Sequence, residues 1–325
     1  MSDQAAKLRE LKQAATIGLY DGDAGPGVPM IVVAGARAGV GATTVAVNLA
    51  ATLADRTEQV LIVDAAEHRN DLAEVAGVER DLEFSMAEVL AGKCNITDTI
   101  VQGPAGLQVL AGRGGSSLSR RRELRKDLSG TGGYSRVAQQ QLLSQIDRLR
   151  GEIDLVVIDA GCGLTAWTRR FWLQAQLVVL VTTTEDASLL NAYAALKLSS
   201  ADGIRPMTRL LINRAESDAA ADAACRRVQR ACGRFLSLSI DALPALPEHE
   251  DVMLGSASRA PRVWEAANTP FGHAALWLGR AVGDAMMERL EDAGCGGRGI
   301  KSSRREVAMV GGHGERVSNW ACHSG

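Results

Sequence analysis

The sequence predicts an α/β fold, a doubly wound and mostly parallel sheet, and three features of its 325 residues carry that expectation. From Met30 onward, short apolar runs alternate with helical segments: MIVVA, QVLIVD, LQVLA, DLVVIDA, LVVLVTT and TRLLIN, with a further strand expected near LSLSI. Strands that are apolar throughout must be covered on both faces, which a parallel sheet achieves with its crossover helices. A glycine-rich turn joins the first strand to a helix, and two later strands, QVLIVD and DLVVIDA, carry Asp64 and Asp159 at their ends.

Composition narrows the classes of function. Hydrophobic residues make up 46% of the chain, enough for one large core or two modest ones. A formal net charge of −2 gives no electrostatic reason to expect a nucleic-acid partner. The six cysteines show no C-x-x-C pair and the five histidines no H-x-x-x-H pair, so a reducing cytoplasm is expected and a histidine-built metal centre is not. No apolar run approaches the roughly 18 residues of a spanning helix, which leaves peripheral contact as the one route to a membrane.

The chain divides into four parts. Residues 1–20 hold Ala5, Leu8, Leu11 and Ala15 at helical spacing behind Ser2 or Asp3 as an N-cap, which predicts a short amphipathic helix. Residues 21–29, rich in Gly, Asp and Pro, read as a flexible link, and 30–292 as the nucleotide-binding domain. Residues 293–325, rich in Gly, Ser and Arg, read as a disordered tail. Between Gly112 and Gln140 the chain is basic and punctuated by glycine, which reads as a solvated loop, with a contact to an acidic partner or nucleic acid as the alternative. Trp167, Phe171, Trp172 and Leu173 read as core, with a partner face as the alternative. The amphipathic segment 273–294 has a mixed charged face and an acidic end, which suits a core helix better than a membrane anchor.

The turn itself runs Gly35-Ala36-Arg37-Ala38-Gly39-Val40-Gly41-Ala42-Thr43-Thr44, and the next helix sets Ala46, Leu49, Ala50 and Leu53 on one face. Such a turn points successive backbone N–H groups and a helix N-terminus at one anion, which is what a phosphate chain needs. Gly39 and Gly41 permit close backbone approach, Thr43 stands where the hydroxyl ligand of Mg²⁺ belongs, and Thr44 can reach a phosphate oxygen. Asp159 and Asp64 are placed to hold Mg²⁺, in part through water. ATP or ADP with Mg²⁺ is therefore the expected ligand.

The runs GVGATTVAVNLA, VDA and DAGCG and the pair Asn213-Arg214 resemble the MinD/ParA group of P-loop ATPases over about residues 30–285. The resemblance implies a nucleotide site at Arg37, Gly39, Val40, Gly41, Ala42, Thr43, Thr44, Asn213 and Arg214, with Asn213 reading adenine, and a nucleotide-dependent homodimer. Within that group TTTEDASLLNAYAALK and the leading Asp3-Gln4-Ala5-Ala6-Lys7-Leu8-Arg9 are similar to the FlhG (FleN, YlxH) regulators of flagellar number. Their leading helix activates FlhF, a signal-recognition-type GTPase. By that resemblance Asp3, Gln4, Ala5, Leu8 and Arg9 contact the GTPase, and Gln4 acts in trans at its chemistry. Flagellar basal-body components are further partners the resemblance implies, at a cytoplasmic position with any contact at the membrane or cell pole expected to be peripheral.

Three departures bear on catalysis. Ala42 stands where the family's loop has the lysine that bridges β- and γ-phosphates, and Arg37 replaces the lysine that reaches across a dimer. Asp64-Ala65-Ala66 replaces D-x-D, so the aspartate that helps position the attacking water is missing at Ala66. Loss of both groups removes transition-state stabilisation more than binding, and hydrolysis is expected to be weak or absent, with Asp64 and Asp159 retaining residual roles. Some Tad-pilus relatives also read GVGAT. Cys162 lies too close to Asp159 to resemble the cluster ligand of iron–sulfur P-loop reductases. Three readings stand at this point: a nucleotide-controlled flagellar regulator, an ATPase that cycles on membrane or DNA, and a scaffold that binds no nucleotide.

Overall fold

The computed structural model describes residues 27–55, 59–67, 71–78, 84–112, 136–201, 203, 206–248 and 268–292. The expected N-terminal helix, nearly all of the link, most of the basic segment and the tail lie outside the described residues.

Eight strands form one sheet in the order β3-β4-β2-β5-β1-β6-β7-β8. They are β1 (Met30–Gly35), β2 (Val60–Asp64), β3 (Ile100–Gln102), β4 (Gln108–Leu110), β5 (Leu155–Cys162), β6 (Leu177–Thr182), β7 (Met207–Ile212) and β8 (Asp241–Ala242). Every pairing is parallel except β3 with β4. The helices are α1 (Ala42–Ala54), α2 (Leu72–Val75), α3 (Met86–Leu90), α4 (Arg136–Arg148), α5 (Ala166–Gln174), α6 (Asp186–Ala201), α7 (Asp218–Leu236) and α8 (Pro270–Asp292).

Alternate residues of each central strand feed two cores. Met30, Val32 and Ala34 of β1 join the core under α4, α5, α6 and α7, while Ile31 and Val33 join the one under α1 and α8. Burial on both faces is why these strands are apolar at every position. Helix α1 is buried nearly all round, between the sheet and α8. The two helices cross closely at Gly279, where a Cβ would stand 2.3 Å from Thr52 Oγ1. Helix α8 presents Phe271, Ala275, Leu278, Val282 and Met286 to this core, so the segment is a core helix. Trp167, Phe171 and Trp172 are buried under the opposite face, with Leu173 exposed.

The structure corrects three details. Residues 237–240 of LSLSI are not a strand: α7 runs to Leu236, Ser237 turns left-handed at φ 51°, and the short β8 follows at Asp241. The basic segment ends inside a helix, since Arg136 to Gln140 form the start of α4. The core begins before the expected boundary, with Val28 of the link only 3% exposed.

Candidate nucleotide site

The C-terminal ends of β1, β2 and β5 converge, and the turns that leave them build one cleft. Its walls include Arg37 to Thr44, Ala66, Glu67, Asp71, Gly161, Cys162 and Arg214. In the turn after β1, Gly39 and Gly41 both adopt left-handed backbone, at φ 86° and 85°. Gly41 is the residue that caps α1, with Val45 N–H donating to its carbonyl. Left-handed geometry at these two points curls the turn, and glycine takes it without the Cβ penalty; a curl of this kind can aim successive amides at one anion.

Neighbouring backbone fixes the curl from several sides. Ala36 N–H donates to Val181 O at 2.8 Å, and Gly163 N–H to Gly35 O at 3.0 Å. Asn213, just past β7, donates from Nδ2 to Val40 O at 2.8 Å and is only 6% exposed. Adenine contact by Asn213 is what the resemblance implies; what the structure shows is its side-chain amide holding the loop through Val40 O.

The carboxylates meet because β2 and β5 are adjacent and in register, which pairs Asp64 with Asp159. Both are fully buried. Asp64 Oδ1 accepts from Ala66 N–H and Asp159 Oδ1 from Gly161 N–H, while Oδ2 of each is buried without a hydrogen-bond partner. Burial, and then the neighbouring charge of Asp159, pushes Asp64 well above the usual carboxylate range. Burial raises Asp159 to about 6, with the Thr43 hydroxyl pulling the other way. Two buried carboxylates with orphaned oxygens beside a threonine hydroxyl are a donor set that suits a hard cation. Among the described residues no group of three or more His, Cys, Asp or Glu is arranged for metal binding. Mg²⁺ fits such a sparse site, because it keeps several waters and takes only one or two carboxylates.

The two replaced positions lie inside the cleft. Ala42 opens α1 and Ala66 is buried, its Cα 3.2 Å from where a Cβ on Gly161 would stand. Neither brings a charge. Arg37 stands at the rim and pairs with Glu185 at 3.0 Å, both side chains being largely exposed. Glu67 and Asp71, which the motif reading did not single out, also line the cleft. Glu67 Oε2 accepts from the Thr165 hydroxyl at 2.9 Å, and Trp167 Nε1 donates to Ala65 O at 2.6 Å, so the start of α5 is tied to the turn after β2. Nothing local in the sequence marks these partners, which lie about a hundred residues apart. Asp3, Gln4, Ala5, Leu8 and Arg9 lie outside the described residues.

Comparison with known proteins agrees with this architecture. The family described as AAA domain (AAA_31) matches residues 28–197. Antiactivator FleN of Pseudomonas aeruginosa is 27% identical over 228 residues, 69% of this chain and 75% of FleN. Flagellum site-determining protein YlxH of Helicobacter pylori is 26% identical over 201 residues, 62% of this chain and 63% of YlxH. Among solved structures, the septum site-determining protein MinD of Pyrococcus horikoshii OT3, complexed with Mg-ADP, superposes with a TM-score of 0.62 at 22% identity, covering 78% of this chain and 95% of that one. The matched segment is more than half of the chain and contains the whole loop, both aspartates and the sheet centre, and the chain accordingly belongs to the AAA domain family, as a P-loop NTPase of MinD/ParA type.

Proposed function

We propose that this protein is a nucleotide-binding regulator of flagellar number and placement that hydrolyses ATP weakly or not at all. The observation that supports the reading is a curled glycine-rich turn beside two buried, register-paired aspartates with unpartnered oxygens, while Ala42 and Ala66 stand where the resemblance implies catalytic side chains. The similarity to FleN and YlxH supplies the flagellar context.

In this reading Gly39 to Thr44 bind the phosphate chain through backbone amides, and Thr43, Asp64 and Asp159 hold Mg²⁺. Mg²⁺, when bound, neutralises phosphate charge. Asn213 keeps the loop in register and contacts adenine, and Arg37 is available to a second copy of the chain. The helix of residues 2–15 then carries the output to an FlhF-type GTPase, with Leu8 and Leu11 as groove anchors and Gln4 orienting the attacking water in the partner's site.

Two measurements test it. Deleting residues 1–20 is expected to abolish stimulation of an FlhF-type GTPase while leaving the melting temperature unchanged, and Gln4→Ala to lower stimulation far more than binding. Full stimulation by the truncated protein would remove the output role from the helix. In a phosphate-release assay, turnover is expected at background even with the partner present. A stimulated rate of about 1 s⁻¹, ordinary for an enzyme, would favour instead an ATPase that cycles on membrane or DNA.

A further inference from the structure

A polyphosphate is a concentrated negative charge, and Ala42 offers it no side-chain cation. Among the described residues, two guanidinium groups stand at the cleft, those of Arg37 and Arg214. Arg37 pairs with Glu185 at the exposed rim, where a second copy of the chain would meet it. Arg214 is placed differently. It lies two residues past the end of β7, is half-buried, and has a left-handed backbone with φ 56°. Outside glycine and asparagine that conformation is strained, so it persists only where the surroundings impose it.

The surroundings here do impose it. On one side Asn213 is fixed to the loop through Val40 O, and on the other Ala215 N–H donates to Leu246 O at 2.9 Å. Between these anchors the arginine is turned back toward the loop. A Cβ on Gly41 would lie 3.9 Å from Arg214 Nη2, which puts the guanidinium beside the residue that precedes Ala42. A planar fork of N–H donors at that point matches the paired oxygens of a phosphate.

We infer that Arg214 supplies the phosphate-facing cation that Ala42 cannot, so that the charge enters the cleft from the end of β7 and not from the glycine-rich turn. The inference rests on reading the cleft as a nucleotide site. It makes Arg214 a phosphate-binding residue, distinct from a base-reading role for the Asn213-Arg214 pair.

The experiment is calorimetric titration of the full chain with ATP, ADP and AMP in Mg²⁺, for the wild type, Arg214→Asn, Arg214→Gln and Ala42→Lys/Arg214→Asn. Asparagine tolerates left-handed backbone, so Arg214→Asn removes the charge without adding strain. Arg214→Gln gives a second neutral side chain if the first variant unfolds. Loss of a charged hydrogen bond predicts dissociation constants for ATP and ADP raised about ten- to hundredfold, with AMP changed less than about threefold. Ala42→Lys in the Arg214→Asn background is expected to recover most of the loss for ATP and ADP while leaving AMP little changed. Equal weakening of all three nucleotides would assign Arg214 to the base or sugar, and unchanged ATP affinity would remove it from the site; either overturns the inference. A wild type that binds none of the three at millimolar concentration would instead refute the nucleotide site itself.

Discussion

Gly41→Ala is expected to cost about 2–3 kcal/mol, in one of two measurable places. A left-handed alanine costs roughly 1–2 kcal/mol, and its methyl carbon would fall 2.5 Å from Asn213 Nδ2. The amide must then leave Val40 O, forfeiting a hydrogen bond worth about 1 kcal/mol. A loop that stays curled in the free protein lowers stability by the full amount, visible in urea unfolding. A loop that relaxes until ligand arrives shows the same energy as a roughly 30- to 150-fold loss of ATP affinity. Gly39→Ala is the control: its φ is equally left-handed, but a Cβ there meets nothing within 4 Å, so its cost in the free protein is smaller by the Asn213 share. If Gly41→Ala changes neither stability nor affinity, the curled loop and its asparagine support are wrong.

The second large effect runs in opposite directions with and without metal. Asp64→Asn removes a buried carboxylate that sits in register with Asp159, where backbone hydrogen bonds from Ala66 and Gly112 only partly offset its burial. Burial and the Asp159 charge both oppose ionisation of Asp64. The metal-free variant should therefore be more stable than the wild type, by roughly 0.5–2 kcal/mol, the range of stabilising changes made at functional sites. In Mg²⁺ and ATP the ranking should reverse, because the wild type gains ligand stabilisation that the variant has lost. Thermal unfolding in EDTA and in Mg²⁺·ATP reads both arms. A variant less stable in EDTA would show that protein groups already satisfy the carboxylate, and the cation site would fall.

These two aspartates show what was legible in the sequence and what was not. That each closes an apolar run follows from counting residues; Asp64 does end β2, whereas β5 continues past Asp159 to Cys162. That they face one another requires β2 to neighbour β5, an order that alternation of strands and helices does not specify. The same gap hid Arg37 from Glu185, 148 residues on, and Val40 from Asn213, 173 residues on. Local chemistry failed in other ways. The run Leu236, Leu238, Ile240 alternates as a strand would, yet Ser237 turns left-handed and only Ile240 is deeply buried. Antiparallel β3 spans three residues, too few for a period to appear. The glycine turn, by contrast, was fully readable, because its conformation is written in the residue type that alone accepts it without strain.

The close crossing at Gly279 and Thr52 has a consequence for the order in which the chain matures. Helix α1, which carries the end of the glycine-rich turn, is translated more than two hundred residues before α8, the helix that covers its outer face. A nascent chain leaving the ribosome thus exposes the apolar side of α1 until α8 has emerged, and native contacts across so long a stretch close slowly. A chain cut before α8 is therefore expected to leave α1, and the turn it anchors, without its outer support.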